Sequence, residues 1–142
     1  MGPMMVKTNI TFRMKAFALL VFLSGNVLAA GAETFAERHQ LARLAEGQEP
    51  TRSYLKDKMF PAVGPAVATA MRGCLTPPGV STEPFTVLAD LSQDGNFTRI
   101  VYEPKTDTAA CFAAAMPSFH APPPPTQYGR PLPISIDMNV VP

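Results

Sequence analysis

Cys74 and Cys111 carry the clearest chemistry in this sequence, because they are its only two cysteines. A pair of thiols forms a disulfide in an oxidising compartment, or it supplies half of a zinc site where two further ligands lie nearby. The only histidines, His39 and His120, lack the short regular spacing of a structural zinc motif. The sequence therefore predicts no metal site, and His39 is expected to be a solvated helix residue.

No group of residues in the sequence predicts catalysis. His120 could act as a general base, but it lies in a Phe-His-Ala-Pro segment with no motif around any hydroxyl. Asp90, Asp94 and Asp137 are expected at exposed strand or turn positions, where carboxylates commonly serve solubility rather than paired acid and base catalysis. A glycine-rich phosphate loop is also missing from the sequence. The sequence thus predicts no catalytic residue, no cofactor and no enzymatic activity.

The N-terminal residues have the composition of an export signal. Lys7, Arg13 and Lys15 precede an apolar run over residues 16–23, which continues more weakly to Ala30. A charged segment followed by a short apolar segment is typical of a secretory signal peptide. The run is shorter than the roughly 20 apolar residues that a membrane-spanning helix needs, so a permanent anchor is not expected.

The small residues after this run predict where the signal is removed. Ala30, Gly31 and Ala32 match the small-x-small pattern of a cleavage site, so the mature chain is expected to begin at Glu33, with Ala30 or Gly31 as the nearest alternatives. Met14 resembles a more ordinary signal-peptide start than Met1. These features are of a bacterial type and predict a periplasmic protein, with secretion as the alternative. In that compartment Cys74 and Cys111 are expected to form a disulfide.

Charge argues against nucleic acid as a partner. The chain has 12 basic and 11 acidic residues, and the predicted signal contains three of the basic ones and none of the acidic ones. The mature chain therefore carries 9 − 11 = −2, and its cations are scattered along the sequence. A domain that binds phosphate backbones would concentrate basic residues in one patch.

Two helices are predicted before the first strand. Thr34 and Glu37 form a capping box that starts a helix ending near Glu46, whose expected apolar stripe consists of Phe35, Leu41, Leu44 and Ala45. A stronger helix is expected to start near Pro65 and to carry Cys74 on its buried face, because prolines and a glycine interrupt the pattern before residue 65. The predicted organisation is a lead-in over residues 33–64 and a domain over residues 65–142.

The rest of the chain predicts a small sheet. Residues 85–91 alternate apolar and polar side chains, which predicts a strand. The Asp94-Gly95 step predicts a hairpin turn, and residues 97–102 are predicted to form the second strand of that hairpin. Asp107 or Thr108 then caps a short apolar helix over residues 109–116. Residues 122–125 are four prolines and are interpreted as a stiff spacer, and a final strand follows over residues 132–140. This order predicts a two-layer α+β domain: a three-stranded antiparallel sheet with two helices on one face, plus the N-terminal helix.

These elements together resemble the C-terminal domain of the TonB and TolA energy-transducing proteins. The matching features run from about Pro65 to Val140: a helix ending in Cys-Leu-Thr-Pro, the Gln-Asp-Gly-Asn-Phe turn at 93–97, an alanine-rich helix, a proline run and a terminal strand. The retained anchor and long spacer of that family have no counterpart in this sequence. What the resemblance implies is therefore a periplasmic binding module that meets its partners by adding strands edge to edge, and not energy transduction.

The terminal strand is the first candidate for docking an envelope protein. Its clean alternation and the position of its prolines leave one accessible stretch, which consists of Ser135, Ile136, Asp137, Met138, Asn139 and Val140. If this strand is central in the sheet, the docking edge moves to residues 85–91 or 97–102. A second functional class remains open at this point: a small periplasmic inhibitor or immunity-type protein that blocks an envelope enzyme or toxin through the loop at residues 121–130.

Overall fold

The computed structural model describes residues 31–125 and 130–140, and Ala32–Pro142 form one compact unit. Within it lie three strands, β1 (Phe85–Leu91), β2 (Phe97–Glu103) and β3 (Leu132–Met138). The helices are α1 (Phe35–Glu46), α2 (Thr51–Tyr54), α3 (Phe60–Leu75) and α4 (Asp107–Ala115), with a π-helical turn at Leu55–Met59 and a 3₁₀ turn at Met116–Ser118. Residues 1–30 of the predicted signal peptide lie outside the described part of the chain.

The sheet confirms the predicted fold class. Its strand order is β2-β1-β3 and both pairings are antiparallel, with Val87 opposite Tyr102 on one side and opposite Ile136 on the other. The chain therefore has an α+β fold with a three-stranded antiparallel sheet, helices packed on it and an additional N-terminal helix. β1 is the central strand, and β2 and β3 are the two edges.

One face of the sheet carries the main hydrophobic core. The odd-numbered residues of β1 and the even-numbered residues of β3 share this face, because side chains alternate along a strand. Helices α3 and α4 and the π-helical turn cover it. Phe112 of α4 is fully buried at the centre, with its ring centroid 5.9 Å from those of both Phe85 and Phe119.

The cysteine pair joins the two helices of this layer. Cys74 of α3 and Cys111 of α4 form a disulfide, as the sequence predicts. Helix α4 spans Asp107–Ala115 and so begins two residues before the predicted range 109–116, because Thr106 is its N-cap and accepts a hydrogen bond from the backbone N–H of Ala109. The predicted cap at Asp107 or Thr108 was therefore wrong by one or two positions.

Helix α3 does not start at Pro65 as the sequence predicts. It begins at Phe60, directly after the π-helical turn at Leu55–Met59, and Pro61 is its second residue. Pro65 lies inside the helix, which continues because its buried residues Val63 and Cys74 pack into the core. The predicted boundary between residues 64 and 65 falls within this helix, and residues on both sides of it belong to one compact unit.

Helix α1 covers the opposite face of the sheet. Val87 and Leu88 are neighbours on β1, so their side chains point to opposite faces, and both are at most 1 % exposed. The helix packs against β1 and β3 through Arg38, Ala42 and Ala45. The expected apolar stripe was wrong at Leu41 and Leu44, which are 41 % and 56 % exposed, whereas Ala45 is buried as predicted. The buried side also carries the guanidinium of Arg38, which pairs with Asp90 of β1.

The hairpin turn requires glycine at position 95. Gly95 has a φ of +83°, and a Cβ there would lie 1.9 Å from the carbonyl oxygen of Ala121. The segment after α4 passes this close because the Ala121 N–H donates to the Gly95 carbonyl at 2.9 Å. Beyond it, the hydroxyl of Tyr54 donates to the carbonyl of Pro122, so the proline run lies against α2.

Tyr54 is expected to make the free energy of unfolding depend on pH in the alkaline range. Burial raises the pKa of its phenol from 10.0 to about 12, because the charged form is poorly solvated. The stabilising effect of the neutral phenol is therefore complete below pH 10 and is lost as the pH rises from 10 towards 12. We expect urea unfolding to show this loss in the wild-type protein. Tyr54→Phe should flatten that part of the profile, and an unchanged profile in this variant would contradict the assignment.

Candidate functional site

The predicted docking residues lie on an edge of the sheet. Among the described strands, β3 pairs only with β1, so its other side is an edge of the sheet. β1 is paired on both sides, and its residues 85–91 offer no free edge. Of the six predicted docking residues, Asp137 and Asn139 are exposed, Met138 and Val140 are partly buried, and Ser135 and Ile136 are buried. Ser135 was expected to point to solvent but is 6 % exposed, because α1 covers that face.

The backbone donors on the outer side of β3 can be assigned from one hydrogen bond. The N–H of Ser135 donates to Glu46 Oε1 at 3.1 Å rather than to β1, so it points away from the sheet. Because backbone direction alternates along a strand, the positions of Pro133 and Asp137 point the same way. Pro133 has no N–H to offer. The donor that remains within β3 is that of Asp137. The strand ends at Met138, two residues before the predicted end at Val140, and Asn139 is the first residue after it.

A groove runs along this part of the edge, and we call it the edge groove. It has a volume of about 590 Å³ and lies between the end of α1, the π-helical turn and β3. Phe60 at its wall is 44 % exposed, although it is a large apolar side chain at the start of α3. The complete lining is Arg43, Glu46, Arg52, Leu55, Lys56, Phe60, Ser135, Ile136 and Asp137.

Arg43 organises the carboxylates of the edge groove. Its guanidinium lies 3.3 Å from Glu46 Oε2 and 2.8 Å from Asp137 Oδ2, so one cation joins the end of α1 to β3. The hydroxyl of Thr86 also donates to Asp137, at 2.7 Å. Lys56 has no ion pair within residues 31–125 and 130–140. The groove lining therefore carries three cations and two carboxylates, with the excess positive charge on the side of the π-helical turn.

The other edge of the sheet is obstructed. At the start of β2, Asn96 pairs with His120 in an isolated antiparallel bridge. The strand then contains a bulge, where the register shifts opposite Leu88 and Asp90 and Arg99 adopts a positive φ of 50°. Bulges and neighbouring prolines are common ways to protect an edge strand, and Pro104 follows β2 directly. β3 is therefore the more accessible edge.

Asp90 is not the exposed strand residue that the sequence predicts. It is 8 % exposed and lies between two guanidinium groups, 3.2 Å from Arg38 and 3.0 Å from Arg99. The Glu33 carboxylate and the charge of Asp90 raise the pKa of Arg99. These contacts hold the start of α1 on the sheet. Ala32 and Glu33, the predicted cleavage residues, are exposed and precede α1.

The two histidines lie in different surroundings, and neither belongs to a metal-binding cluster among the described residues. His120 Nδ1 lies 3.1 Å from the side-chain oxygen of Asn96 and is exposed. His39 lies in α1 as expected but is only partly solvated, and its enclosed Nε2 has no hydrogen-bond partner among the described residues. Over residues 31–125 and 130–140, His, Cys, Asp and Glu form no cluster of three or more that could hold a metal ion.

Sequence reasoning missed the contribution of α1 to the site. Arg43 and Glu46 are 94 and 89 residues away from their partners Asp137 and Ser135. No local pattern links positions so far apart, and a charged last turn is common in helices for other reasons. Only the docking of α1 beside β3 brings these side chains to the edge.

Comparison with known proteins assigns no function to this chain. No protein-family model, no curated protein and no solved structure matches the chain. In the part of the chain that the structure describes, no helix has both the length and the apolar character to cross a membrane.

Proposed function

We propose that this protein is a non-catalytic binding module of the cell envelope, which docks a partner protein by accepting a strand along the outer edge of β3. The edge groove is the observation that supports this proposal best. It follows the backbone of residues 135–137 and leaves room of about 590 Å³ beside it. A kinship with the C-terminal domains of TonB and TolA remains part of the proposal and rests on the resemblance in sequence.

The hydrogen-bonding pattern of β3 supports a strand as the docking element. Main-chain hydrogen bonds supply the affinity in such complexes, and pockets beside the edge supply specificity. The N–H of Asp137 lies on the outer side of β3, and a docked strand that extends the ladder past Met138 would take the N–H of Asn139 as its next donor. The N–H of Ser135 already binds an acceptor from outside the sheet, the carboxylate of Glu46, so acceptors can approach this edge.

The side chains of the edge groove indicate the character of the partner segment. Leu55 and the exposed ring of Phe60 offer an apolar contact, and Lys56 offers a cation without an ion-pair partner among the described residues. A complementary segment combines apolar side chains with negative charge. Because the lining is mixed, neither a purely basic segment nor nucleic acid fits it.

Export to the periplasm is part of the same proposal. The N-terminal composition supports a cleaved signal, and the Cys74–Cys111 disulfide is compatible with an oxidising compartment. Secretion from the cell is the alternative destination. The intact mass of the exported protein tests the proposal: it should correspond to a chain that begins at Glu33, and a mass that retains residues 14–32 would reject cleavage.

Among the described residues, no contact favours the alternative of an inhibitor with a projecting loop. Ala121 and Pro124 are buried, and Pro122 accepts a hydrogen bond from Tyr54. The described part of the 121–130 segment therefore packs against α2 instead of extending into solvent. Residues 126–129 of that loop lie outside the described residues.

Proline substitution at position 139 tests strand docking. A pull-down from periplasmic extract supplies the partner, and its affinity is then measured for Asn139→Pro and for Asn139→Ala. Both variants lose the same side chain, but only proline removes the outward N–H. One backbone hydrogen bond contributes about 1–1.5 kcal/mol, so we expect Asn139→Pro to bind about tenfold more weakly and Asn139→Ala to bind normally. Equal affinities in the two variants, both folded by circular dichroism, would exclude docking at this strand.

A further inference from the structure

The outer edge of β3 offers backbone donors only from Ser135 onwards. Pro131 and Pro133 have no N–H, and the N–H of Leu132 points towards β1 by the alternation that Ser135 establishes. Beyond Ser135 a strand that pairs along this edge meets only carbonyl acceptors. Ser135 is therefore the last position at which both kinds of backbone hydrogen bond can form, and it marks the end point of full pairing.

The structure holds a carboxylate at this end point. Glu46 Oε1 accepts the Ser135 N–H at 3.1 Å, while Glu46 Oε2 lies 3.3 Å from the Arg43 guanidinium. One backbone donor and one arginine thus bind the two oxygens of a single carboxylate. Hydrogen bonds between charged groups and carboxylates are among the stronger ones in proteins. The side chain of Glu46 retains 19 % exposure, so it has a path away from the edge.

From this geometry we propose that the site binds the C-terminus of a partner chain. The α-carboxylate of the partner takes the place of the Glu46 carboxylate between the Ser135 N–H and Arg43, and the preceding residues run antiparallel to β3 alongside Asp137 and Asn139. An antiparallel partner strand passes Asn139 first and reaches Ser135 last, so its carboxyl terminus lies at Ser135. The strand direction therefore places an α-carboxylate where the structure already binds a carboxylate. This inference rests on the proposed function, because it specifies which segment is docked at β3.

The charges of the edge groove fit this occupant. A free C-terminus brings one negative charge whatever its sequence, and Arg43 and Lys56 lie in the lining that receives it. Glu46 then acts as an intramolecular competitor, which occupies the carboxylate position while no partner is bound. Removal of its carboxylate should strengthen binding, whereas removal of the Ser135 donor should weaken it.

Display libraries of random decapeptides test the proposal directly on the purified protein. One library presents free C-termini, and the other presents the same peptides followed by a fixed C-terminal extension. Peptides enriched on the protein are then synthesised as free acids and as C-terminal amides, and both forms are titrated. We expect enrichment in the free-terminus library, and we expect the amides to bind at least tenfold more weakly than the acids.

Two variants locate the binding at this site. Ser135→Pro removes an N–H that forms no hydrogen bond with β1, and the native strand already has a proline at the equivalent outward position 133. The variant should bind the free-acid peptides at least tenfold more weakly. Glu46→Ala should strengthen them about fivefold. Glu83→Ala removes an exposed glutamate outside the groove lining and should change nothing.

The outcomes separate this inference from the proposed function. If amides bind as well as acids while Ser135→Pro still abolishes binding, recognition of a terminus is overturned and strand docking stands. If the enriched peptides bind Ser135→Pro and Asn139→Pro as tightly as they bind the wild-type protein, both proposals fail. The comparison of acid with amide needs no variant, so it decides the matter even if Ser135→Pro does not fold. Failure to enrich any peptide from the free-terminus library also overturns the inference.

Discussion

Replacement of Asp90 by alanine is expected to lower the free energy of unfolding by about 3–5 kcal/mol. Asp90 and Arg38 are 8 % and 7 % exposed, and their side chains lie 3.2 Å apart. Without the carboxylate, the guanidinium of Arg38 remains buried with no compensating charge. Removal of one partner of a buried ion pair is strongly destabilising for this reason. Arg99, the second partner of Asp90, has a side chain that is 58 % exposed and can be solvated instead. Urea unfolding of the wild-type protein and of the variant measures the difference.

A double variant shows whether the buried charge is the cause. Arg38→Met combined with Asp90→Leu removes both charges and keeps apolar volume, so it should recover most of the loss seen in Asp90→Ala. A loss below about 1 kcal/mol in the single variant would mean that the pair behaves like an exposed one. The burial of Asp90 beneath α1 would then be wrong.

Removal of the disulfide is the other change with a large expected effect. Cys74→Ala combined with Cys111→Ala should lower the free energy of unfolding by about 3–4 kcal/mol, since the bridge closes a loop across a sequence separation of 37 residues. The main cause is the larger conformational freedom of the unfolded chain. This is a large fraction of the roughly 5–15 kcal/mol by which small domains are usually stable.

Denaturant titrations of the oxidised protein, the reduced protein and the double alanine variant measure this contribution. The reduced protein and the double variant should unfold at similar, lower concentrations of urea. Thiol labelling of the folded, oxidised protein should find no free cysteine. An oxidised protein no more stable than the double variant would contradict the expected role of the bridge.

Local sequence patterns were sufficient for most of the fold. The alternation in β1 and β3 and the positive φ at Gly95 follow from neighbouring residues, and the capping box of Thr34 and Glu37 is present as predicted. The prediction failed where tertiary packing overrides local preference. Pro65 lies inside a helix because that helix is held by the core. Leu41 lies on the exposed side of α1 because the buried side carries the arginine that pairs with Asp90.

The candidate site was accessible to prediction only in part. The alternation of β3 identified the strand, and its prolines indicated where an accessible stretch starts. Strand order depends on pairings between distant residues, so the position of β3 at an edge did not follow from its own sequence. The same holds for Glu46, which reaches Ser135 only after α1 has packed across the sheet.

Amide hydrogen exchange, resolved by residue with NMR, tests the central claim most directly. Exchange is followed at the backbone N–H groups of Asp137 and Asn139 in the free protein and in its complex with the partner recovered by pull-down. A docked strand should slow exchange at both amides at least tenfold, because each becomes hydrogen bonded to the partner. The amides of β2 should exchange as they do in the free protein. Unchanged exchange at Asp137 and Asn139, with new protection in β2 or in residues 121–125, would contradict docking at the edge of β3.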